Sequence, residues 1–327
     1  MSALAAGPGA AGQAGWHAYV SPMVPLIHHP DYDAATVPDG HRFPMRKYSL
    51  VAEQLRARGT VFQVPAPAPF AWLKAVHAPE YVNAVMDGTL CPKAARRIGF
   101  EITAAVAERS RASVGGTYLG GRVALASGAA VNLAGGSHHA DMTGGAGFCV
   151  FNDVAVAARR LLDEDRVAQV AVIDLDVHHG DGTARIFAGD PAVFTASLHC
   201  AQNWPREKPP GDLDVGLPRD TGDDGYLDAL ERFLDTVFKR CEPDLVFYNA
   251  GVDPHRDDRL GLLSLTDGGL RLRDGMVAEA CSRRGVPVCG VLGGGYGSDA
   301  HAVAARHTFL VDAFSARFQP VRAQTTD

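Results

Sequence analysis

Short apolar runs alternate with helical periodicities along most of the chain, a pattern typical of strand–helix–strand units. The runs are continuously apolar, as expected for parallel strands that helices cover on both faces. We expect strands at 130–136, 167–176, 192–199, 244–251 and 287–294. The helical periodicities predict helices at 46–58, 79–87, 102–113, 152–163, 225–240, 266–283 and 300–317.

The chain has 327 residues, a length that fits either one large α/β domain or two smaller ones. No linker divides it, because the proline-rich stretches at 64–69 and 205–210 are short enough to be loops. No internal repeat is evident either. We therefore predict a disordered tail over residues 1–15 and one α/β domain over residues 16–327.

Composition narrows the class of protein. Hydrophobic residues make up 46% and charged residues 21%, as in soluble globular enzymes. A net charge of -6 argues against a broad basic face for nucleic acid or anionic membranes. The first 20 residues contain no Lys or Arg, and no apolar run is long enough to span a bilayer, so we expect a cytoplasmic protein. The six scattered cysteines are expected to be reduced, and the oligomeric state is left open.

Histidines are paired more often than chance predicts. Random placement of 13 histidines gives about half of one adjacent pair, whereas the chain contains three. The pairs His138–His139 and His178–His179 follow predicted strands, at the edge where open α/β sheets bind ligands. The pair His28–His29 is left open between a pocket rim and the start of a loop.

Two aspartates and a histidine indicate a metal site. Asp174, Asp176 and His178 are spaced by two, so their side chains project to the same side of an extended chain. Two carboxylates in one buried space require a counter-charge, most simply a metal ion. Asp253 follows another predicted strand and can join Asp176 and His178. This set of three ligands leaves a coordination position open for water or substrate.

Four motifs carry a resemblance to a known family: VIDLDVHHGDG, GGSHHADMTGGAGFCVFND, YNAGVDPHRDDRLGLLSLT and LGGGYG. The chain resembles the zinc-dependent histone deacetylases, on the class IV-like branch, over about residues 24–315. The resemblance implies an arginase/deacetylase fold, in which helices flank a central, mostly parallel sheet of about eight strands.

The resemblance also implies roles for individual residues. One zinc ion per chain would be bound by Asp176, His178 and Asp253. The tandem histidines would be His138 and His139, with Asp174 and Asp181 as their carboxylate partners and Tyr296 as the catalytic tyrosine. A structural potassium ion would be held near Asp174, Asp176, His178, Ser197 and Leu198. The substrate channel would be lined by Gly147, Phe148, Trp204 and Leu260, with Arg46 beside an internal acetate channel.

This arrangement implies a mechanism. Two aspartates cancel the charge of zinc, so the attacking water needs a base, and His139 held by Asp181 can supply it. Zinc and the Tyr296 hydroxyl would stabilise the oxyanion, while His138 would act electrostatically and help protonate the leaving amine. The three glycines before Tyr296 would let its loop move, but a turn after a strand explains them equally well.

The predicted function is a zinc-dependent amidohydrolase that removes an acetyl or longer acyl group from a lysine side chain. Its partner would be an acylated protein or a small acylated amine. Acetylated polyamines and other small amides are an alternative, although Leu260 stands where polyamine-selective relatives carry an acid. A weakly active regulatory protein on the same fold is a second alternative. A binuclear manganese ureohydrolase is disfavoured, because Gly180 stands where a further carboxylate ligand is needed. Acyl length, and zinc or iron as the cellular metal, are left open.

Overall fold

The computed structural model describes residues 23–33, 37–38 and 40–318. The predicted tail at 1–15 lies outside these ranges. The strands are β1 (Leu26–Ile27), β2 (Phe62–Gln63), β3 (Ala129–Asn132), β4 (Val170–Asp174), β5 (Val193–Cys200), β6 (Leu213–Leu217), β7 (Leu245–Asn249) and β8 (Val288–Val291). The α-helices of the described part are α1 (Lys47–Arg56), α2 (Phe70–Lys74), α3 (Pro79–Met86), α4 (Pro92–Ile98), α5 (Ala104–Ser127), α6 (Asp153–Asp163), α7 (Asp181–Ile186), α8 (Asp223–Arg240), α9 (Asp267–Arg284) and α10 (Ala300–Arg317).

The eight strands form one parallel sheet in the order β2-β1-β3-β8-β7-β4-β5-β6. This confirms the predicted α/β fold with a single central sheet. Four strands, β3, β8, β7 and β4, lie side by side in its middle. Because all strands run in one direction, the segments that follow these four emerge next to one another at one edge.

The core lies on both faces of the sheet. Along the central strands, successive buried residues belong to two different apolar clusters, as the alternation of side chains requires. On β4, Ala171 and Ile173 pack into the larger cluster, and Val170 and Val172 pack into the smaller one. Burial on both faces explains why the central strands read as continuous apolar runs.

Helix α5 is much longer than the helix predicted at 102–113. It continues to Ser127 through the segment GGTYLGG, in which glycines would ordinarily disfavour a helix. These glycines let the helix approach its neighbours closely. A Cβ at Gly115 would lie 2.0 Å from the Ala66 carbonyl oxygen, and one at Gly116 would lie 2.0 Å from the Tyr32 hydroxyl. Close packing therefore outweighs helix propensity here.

Three strands are absent from the predicted set. β1 and β2 have two residues each, too few to produce a periodic signal. β6 lies at the edge of the sheet and alternates between exposed and half-buried positions, so it lacks the apolar run of the central strands. The structure therefore extends the predicted sheet on both sides without altering its centre.

A buried arginine supports the strand ends that carry the candidate site. Arg273 on α9 is fully buried and binds the Asp274 carboxylate at 2.9 Å. Its guanidinium also donates to the carbonyl oxygens of Gly251 at 2.5 Å and Leu175 at 3.4 Å, which follow β7 and β4. The Tyr248 hydroxyl donates to the same Asp274 carboxylate at 2.6 Å.

We expect Arg273→Met to lower the free energy of unfolding by about 3–5 kcal/mol, because it removes the counter-charge of the buried Asp274 carboxylate and a hydrogen-bond donor to two buried carbonyls. Denaturant titration checks this expectation. Arg283→Met on the same helix is the control, since the Arg283 side chain is 75% exposed and its loss should cost under ~0.5 kcal/mol. Equal effects for the two variants would contradict the assigned role.

Within the described ranges, no helix is long and apolar enough to cross a membrane. All six cysteines are free thiols, and five of them are buried. The fold is thus stabilised by its two apolar clusters without any disulfide among these cysteines.

Candidate active site

The predicted metal ligands meet at the edge of the sheet where its central strands end. Asp176 and His178 follow β4, and Asp253 follows the neighbouring strand β7. His178 Nδ1 lies 3.0 Å from Asp176 Oδ1 and 3.1 Å from Asp253 Oδ2. All three side chains are buried. Two carboxylates and one imidazole nitrogen are therefore close enough to share one cation.

Charge and shape at this cluster both fit a bound cation. Burial, followed by the negative charge of Asp176, raises the pKa of Asp253, so the two carboxylates favour a positive charge between them. The backbone closes tightly around the carboxylates. The Gly294 amide donates to Asp176 Oδ2 at 2.7 Å, and a Cβ at Gly294 would lie 2.1 Å from Asp253 Oδ2. Only glycine fits this approach.

The tandem histidines lie beside the cluster, on the segment after β3. His138 Nδ1 is 2.6 Å from Asp174 Oδ2, and His139 Nδ1 is 2.6 Å from Asp181 Oδ1. The two Nε2 atoms are 3.1 Å apart. Asn249 donates to the other oxygen of Asp174 at 3.0 Å, and Arg185 binds the other oxygen of Asp181. Each histidine is thus oriented by a carboxylate that is itself held in place.

The two histidines have opposite protonation preferences. Burial lowers the pKa of His138, but the carboxylates of Asp174 and Asp176 outweigh it and raise the pKa to about 9. Burial and the neighbouring His138 charge lower the pKa of His139 to about 3. Burial acts against ionisation of Asp181, yet its hydrogen bond to His139 holds the pKa of this carboxyl at about 2. His138 is therefore favoured as the cation and His139 as the neutral base.

Tyr296 follows β8, and its ring packs against His178 and Phe148, with centroids 6.2 Å and 5.7 Å apart. Hydrogen bonds fix its backbone on both sides. Its amide donates to the Asp258 carboxylate at 2.6 Å, and its carbonyl accepts from Arg259 at 2.8 Å. The geometry favours the turn interpretation of the preceding glycines over a moving loop.

A cleft of about 590 Å³ opens from the cluster to the surface. The predicted channel residues Gly147, Phe148, Trp204 and Leu260 all line it. The Trp204 ring lies 4.6 Å from that of His139 between centroids. Gly147 has a φ of +53°, and a Cβ there would lie 2.7 Å from both His139 and Trp204. A larger residue at this position would narrow the cleft.

Arg46 does not lie where the resemblance predicts. It is exposed at the start of α1 and lines neither the cleft nor the narrow inner cavity behind the histidines. The adjacent Lys47 is buried instead, and its Nζ donates to the Gly293 carbonyl at 2.7 Å. Burial lowers the pKa of Lys47 to about 8. The arginine that lines the inner cavity is Arg109 on α5.

Helical periodicity could have identified Lys47. On α1, Lys47 shares a buried face with Leu50, Val51 and Leu55, whereas Arg46 precedes the helix. Arg109 carries no comparable signal, because sequence patterns alone do not show which face of a long helix meets a cavity formed by distant loops.

The predicted potassium residues are neighbours. Asp174 on β4 pairs in register with Ser197 on β5, and both line a small cavity beneath the sheet edge. Leu198 follows on β5 and is buried. His179 points away from His178 and joins His199 and Asp214, a second group with metal-ligand spacing. The Asp214 carboxylate already binds His179 Nε2 at 2.9 Å and the Gly211 amide at 2.7 Å.

The first histidine pair takes no part in this site. His28 follows β1 and packs against Tyr32 and Phe62, with ring centroids 5.5 Å and 5.4 Å away. Burial lowers the pKa of His28 to about 4. The ring of His29 accepts a hydrogen bond from the Asp31 amide at 3.1 Å, a local contact within a turn. Of the two alternatives for this pair, the structure favours the start of a loop over the rim of a pocket.

Comparison with known proteins identifies the family of the chain. Residues 41–311 match the histone deacetylase domain. An uncharacterised protein of Picosynechococcus is 46% identical, over 88% of this chain and 96% of its own length. Histone deacetylase 2 of Arabidopsis thaliana is 28% identical over 84% of this chain and 74% of its own.

Solved structures show the same fold. A histone deacetylase homologue crystallised with SAHA superposes with a TM-score of 0.76 at 27% identity, over 90% of this chain and 85% of its own. The HD domain of HDA15 superposes with a TM-score of 0.75 at 21% identity, over 92% of this chain and 91% of its own. At this identity the similarity shows a common fold. The match to the family domain covers most of the chain, and the chain belongs to the histone deacetylase family.

Proposed function

We propose that this deacetylase-type hydrolase is a zinc-dependent amidohydrolase that removes acyl groups from lysine side chains. The observation that carries the proposal is one arrangement of buried groups. Asp176, His178 and Asp253 place their ligand atoms close enough to share one cation, and two carboxylate-paired histidines lie beside them at the base of the cleft. Family membership supports the same class of reaction.

A zinc ion held by the cluster would polarise the amide carbonyl and acidify the attacking water. His139 is the group suited to accept the water proton, since its Nδ1 side is occupied by Asp181 and its imidazole is neutral. Burial and the charges of Asp176 and Asp253 raise the pKa of Tyr296, so its hydroxyl stays protonated and can donate to the developing oxyanion.

The leaving amine needs a proton when the C–N bond breaks. His138 lies within 3.1 Å of His139 and favours the cationic form, so a proton gained by His139 can reach the amine with His138 stabilising the charge. The products are a carboxylate and a free ammonium.

The test is hydrolysis by the purified protein of fluorogenic lysines that carry acetyl, trifluoroacetyl, octanoyl and myristoyl groups, beside acetylated polyamines. Metal content is measured in parallel, and activity is followed after chelation and after restoring zinc or ferrous iron. We expect activity that chelation abolishes and zinc restores. Absence of hydrolysis for every amide, by protein of full metal content, would falsify the proposal.

Leu260 gives a prediction about substrate choice. It is half-buried and lines the cleft, where an apolar side chain offers nothing to a second ammonium group. We expect acyl-lysines to have a higher kcat/KM than acetylspermidine or acetylputrescine. Leu260→Glu should raise the polyamine-to-lysine ratio by about tenfold. Leu272→Glu is the matched control, because Leu272 is 58% exposed on α9 and does not line this cleft.

A higher kcat/KM for a polyamine with the wild-type protein would contradict this interpretation of the cleft. An unchanged ratio in Leu260→Glu would show that residue 260 does not contact the substrate.

A further inference from the structure

The mouth of the cleft is basic although the chain has a net charge of -6. Three arginines, Arg42, Arg96 and Arg97, line it beside the aromatic walls, and all three are exposed. Among the described residues that line the cleft there is no Asp or Glu. The local charge is therefore opposite in sign to that of the whole chain.

Backbone hydrogen bonds hold this rim in place. The amide of Gly147 donates to the Arg97 carbonyl at 3.1 Å, and the amide of Phe148 donates to the Ile98 carbonyl at 2.6 Å. His41 Nε2 lies 3.0 Å from the Gly99 carbonyl oxygen, so the segment before Arg42 joins the end of α4. The arginines thus sit on segments tied directly to the channel wall.

The rim charges are poorly neutralised within the described part of the chain. Arg97 has one carboxylate partner, Asp141, at 3.4 Å. Neither Arg42 nor Arg96 has a described Asp or Glu oxygen within 4.0 Å. The guanidinium of Arg259 donates hydrogen bonds to the carbonyls of Tyr296 and Arg42. These partners are uncharged, so they do not neutralise its charge. A cluster of like charges at a binding cleft favours an anionic ligand.

We propose that the part of the substrate outside the channel carries a carboxylate and that Arg42 and Arg96 bind it. The inference rests on the proposed function and specifies its substrate class. A guanidinium fork matches the two oxygens of a carboxylate, and the exposed position makes the contribution moderate and sensitive to salt. The same charges repel basic peptides and polyamines. The carboxylate can belong to an acidic peptide or to the α-carboxyl of a small acylated amino acid.

The experiment uses matched substrates and the full chain. Three peptides carry a central Nε-acetyl-lysine flanked by Glu, Gln or Lys, and Nε-acetyl-lysine with a free α-carboxylate is compared with its carboxamide. We expect kcat/KM for the Glu peptide to exceed that for the Gln peptide by about tenfold at low salt, mainly through KM, and by about twofold in 0.5 M NaCl. The Lys peptide should be the poorest of the three.

The double variant Arg42→Gln, Arg96→Gln should bring the Glu-to-Gln ratio close to one. The matched control is Arg283→Gln, an exposed arginine on α9 outside the cleft, which should keep the ratio. Preference confined to the peptides identifies acidic proteins as the source of the carboxylate, and preference confined to the free carboxylate identifies a small amino-acid derivative. Equal rates for the Glu and Gln substrates, or a ratio that the double variant leaves unchanged, overturn the proposal.

Binding separates this inference from the proposed function. Affinities of the three peptides for the Tyr296→Phe variant, measured by fluorescence anisotropy, report the charge preference separately from the chemical step. Hydrolysis of all substrates with no charge preference overturns only the assignment of the arginines. Tighter binding of the Glu peptide with no hydrolysis by the wild-type protein retains that assignment and rejects the proposed reaction.

Discussion

Asp253→Ala should remove the bound metal and lower turnover by about 100-fold or more. Residues that merely orient metal ligands typically contribute 10- to 100-fold, so loss of a ligand should reach or exceed that range. Asp253 supplies one of the two carboxylates of the cluster, and it is fully buried. Metal content by elemental analysis and kcat on an acetyl-lysine peptide are the two measurements.

Alanine at this position also removes the acceptor of the Val177 amide, which donates to Asp253 Oδ1 at 2.9 Å. Asp253→Asn keeps that oxygen and removes the charge, so it distinguishes loss of the ligand from loss of folding. Asp235→Ala is the control, because the Asp235 side chain is 76% exposed on α8. Normal metal content in both Asp253 variants would exclude this residue as a ligand.

Tyr296→Phe should keep the metal and the fold and still reduce turnover by about 100-fold, the effect of removing one oxyanion donor. The change deletes only the hydroxyl. The ring keeps its contacts with Phe148 and His178, and the backbone bonds to Asp258 and Arg259 are unaffected. Single-turnover kinetics on an acetyl-lysine peptide measure the chemical step directly.

Tyr118→Phe is the matched control, since its hydroxyl binds Glu164 at 2.8 Å, away from the cleft. It should retain wild-type turnover. If the turnover of Tyr296→Phe were within threefold of the wild-type value, the hydroxyl would have no part in the chemistry. The ring of Tyr296 would then serve only as a wall of the channel.

The centre of the sheet could be predicted from sequence because its strands are buried on both faces. β3, β4, β5, β7 and β8 each appear as an apolar run that patterning alone detects. The edge strands have no such run, since β1 and β2 are very short and β6 is partly exposed. The length of α5 depends on tertiary contacts at its glycines, which local propensity does not contain.

The candidate site also contains residues that sequence patterns predict and residues that only tertiary packing places. Asp176 and His178 come directly after an apolar strand, and parallel topology brings Asp253 to them, so spacing and fold class together suffice to suggest the metal cluster. The rim arginines have no such signal, because Arg42 lies in a loop and Arg96 and Arg97 are on α4. Their positions depend on how these segments pack against loops more than 40 residues away, and no short-range pattern encodes that packing.

The hydrogen bonds around Tyr296 have a consequence for the entropy of the reaction. Lys47 donates a hydrogen bond to the Gly293 carbonyl. The Asp176 carboxylate accepts from the Gly294 amide, and the Asp258 carboxylate accepts from the Tyr296 amide. The conformational freedom of this segment is therefore lost when the protein folds and not when substrate binds. In the proposed mechanism, affinity for the substrate is then not reduced by ordering the segment that carries Tyr296.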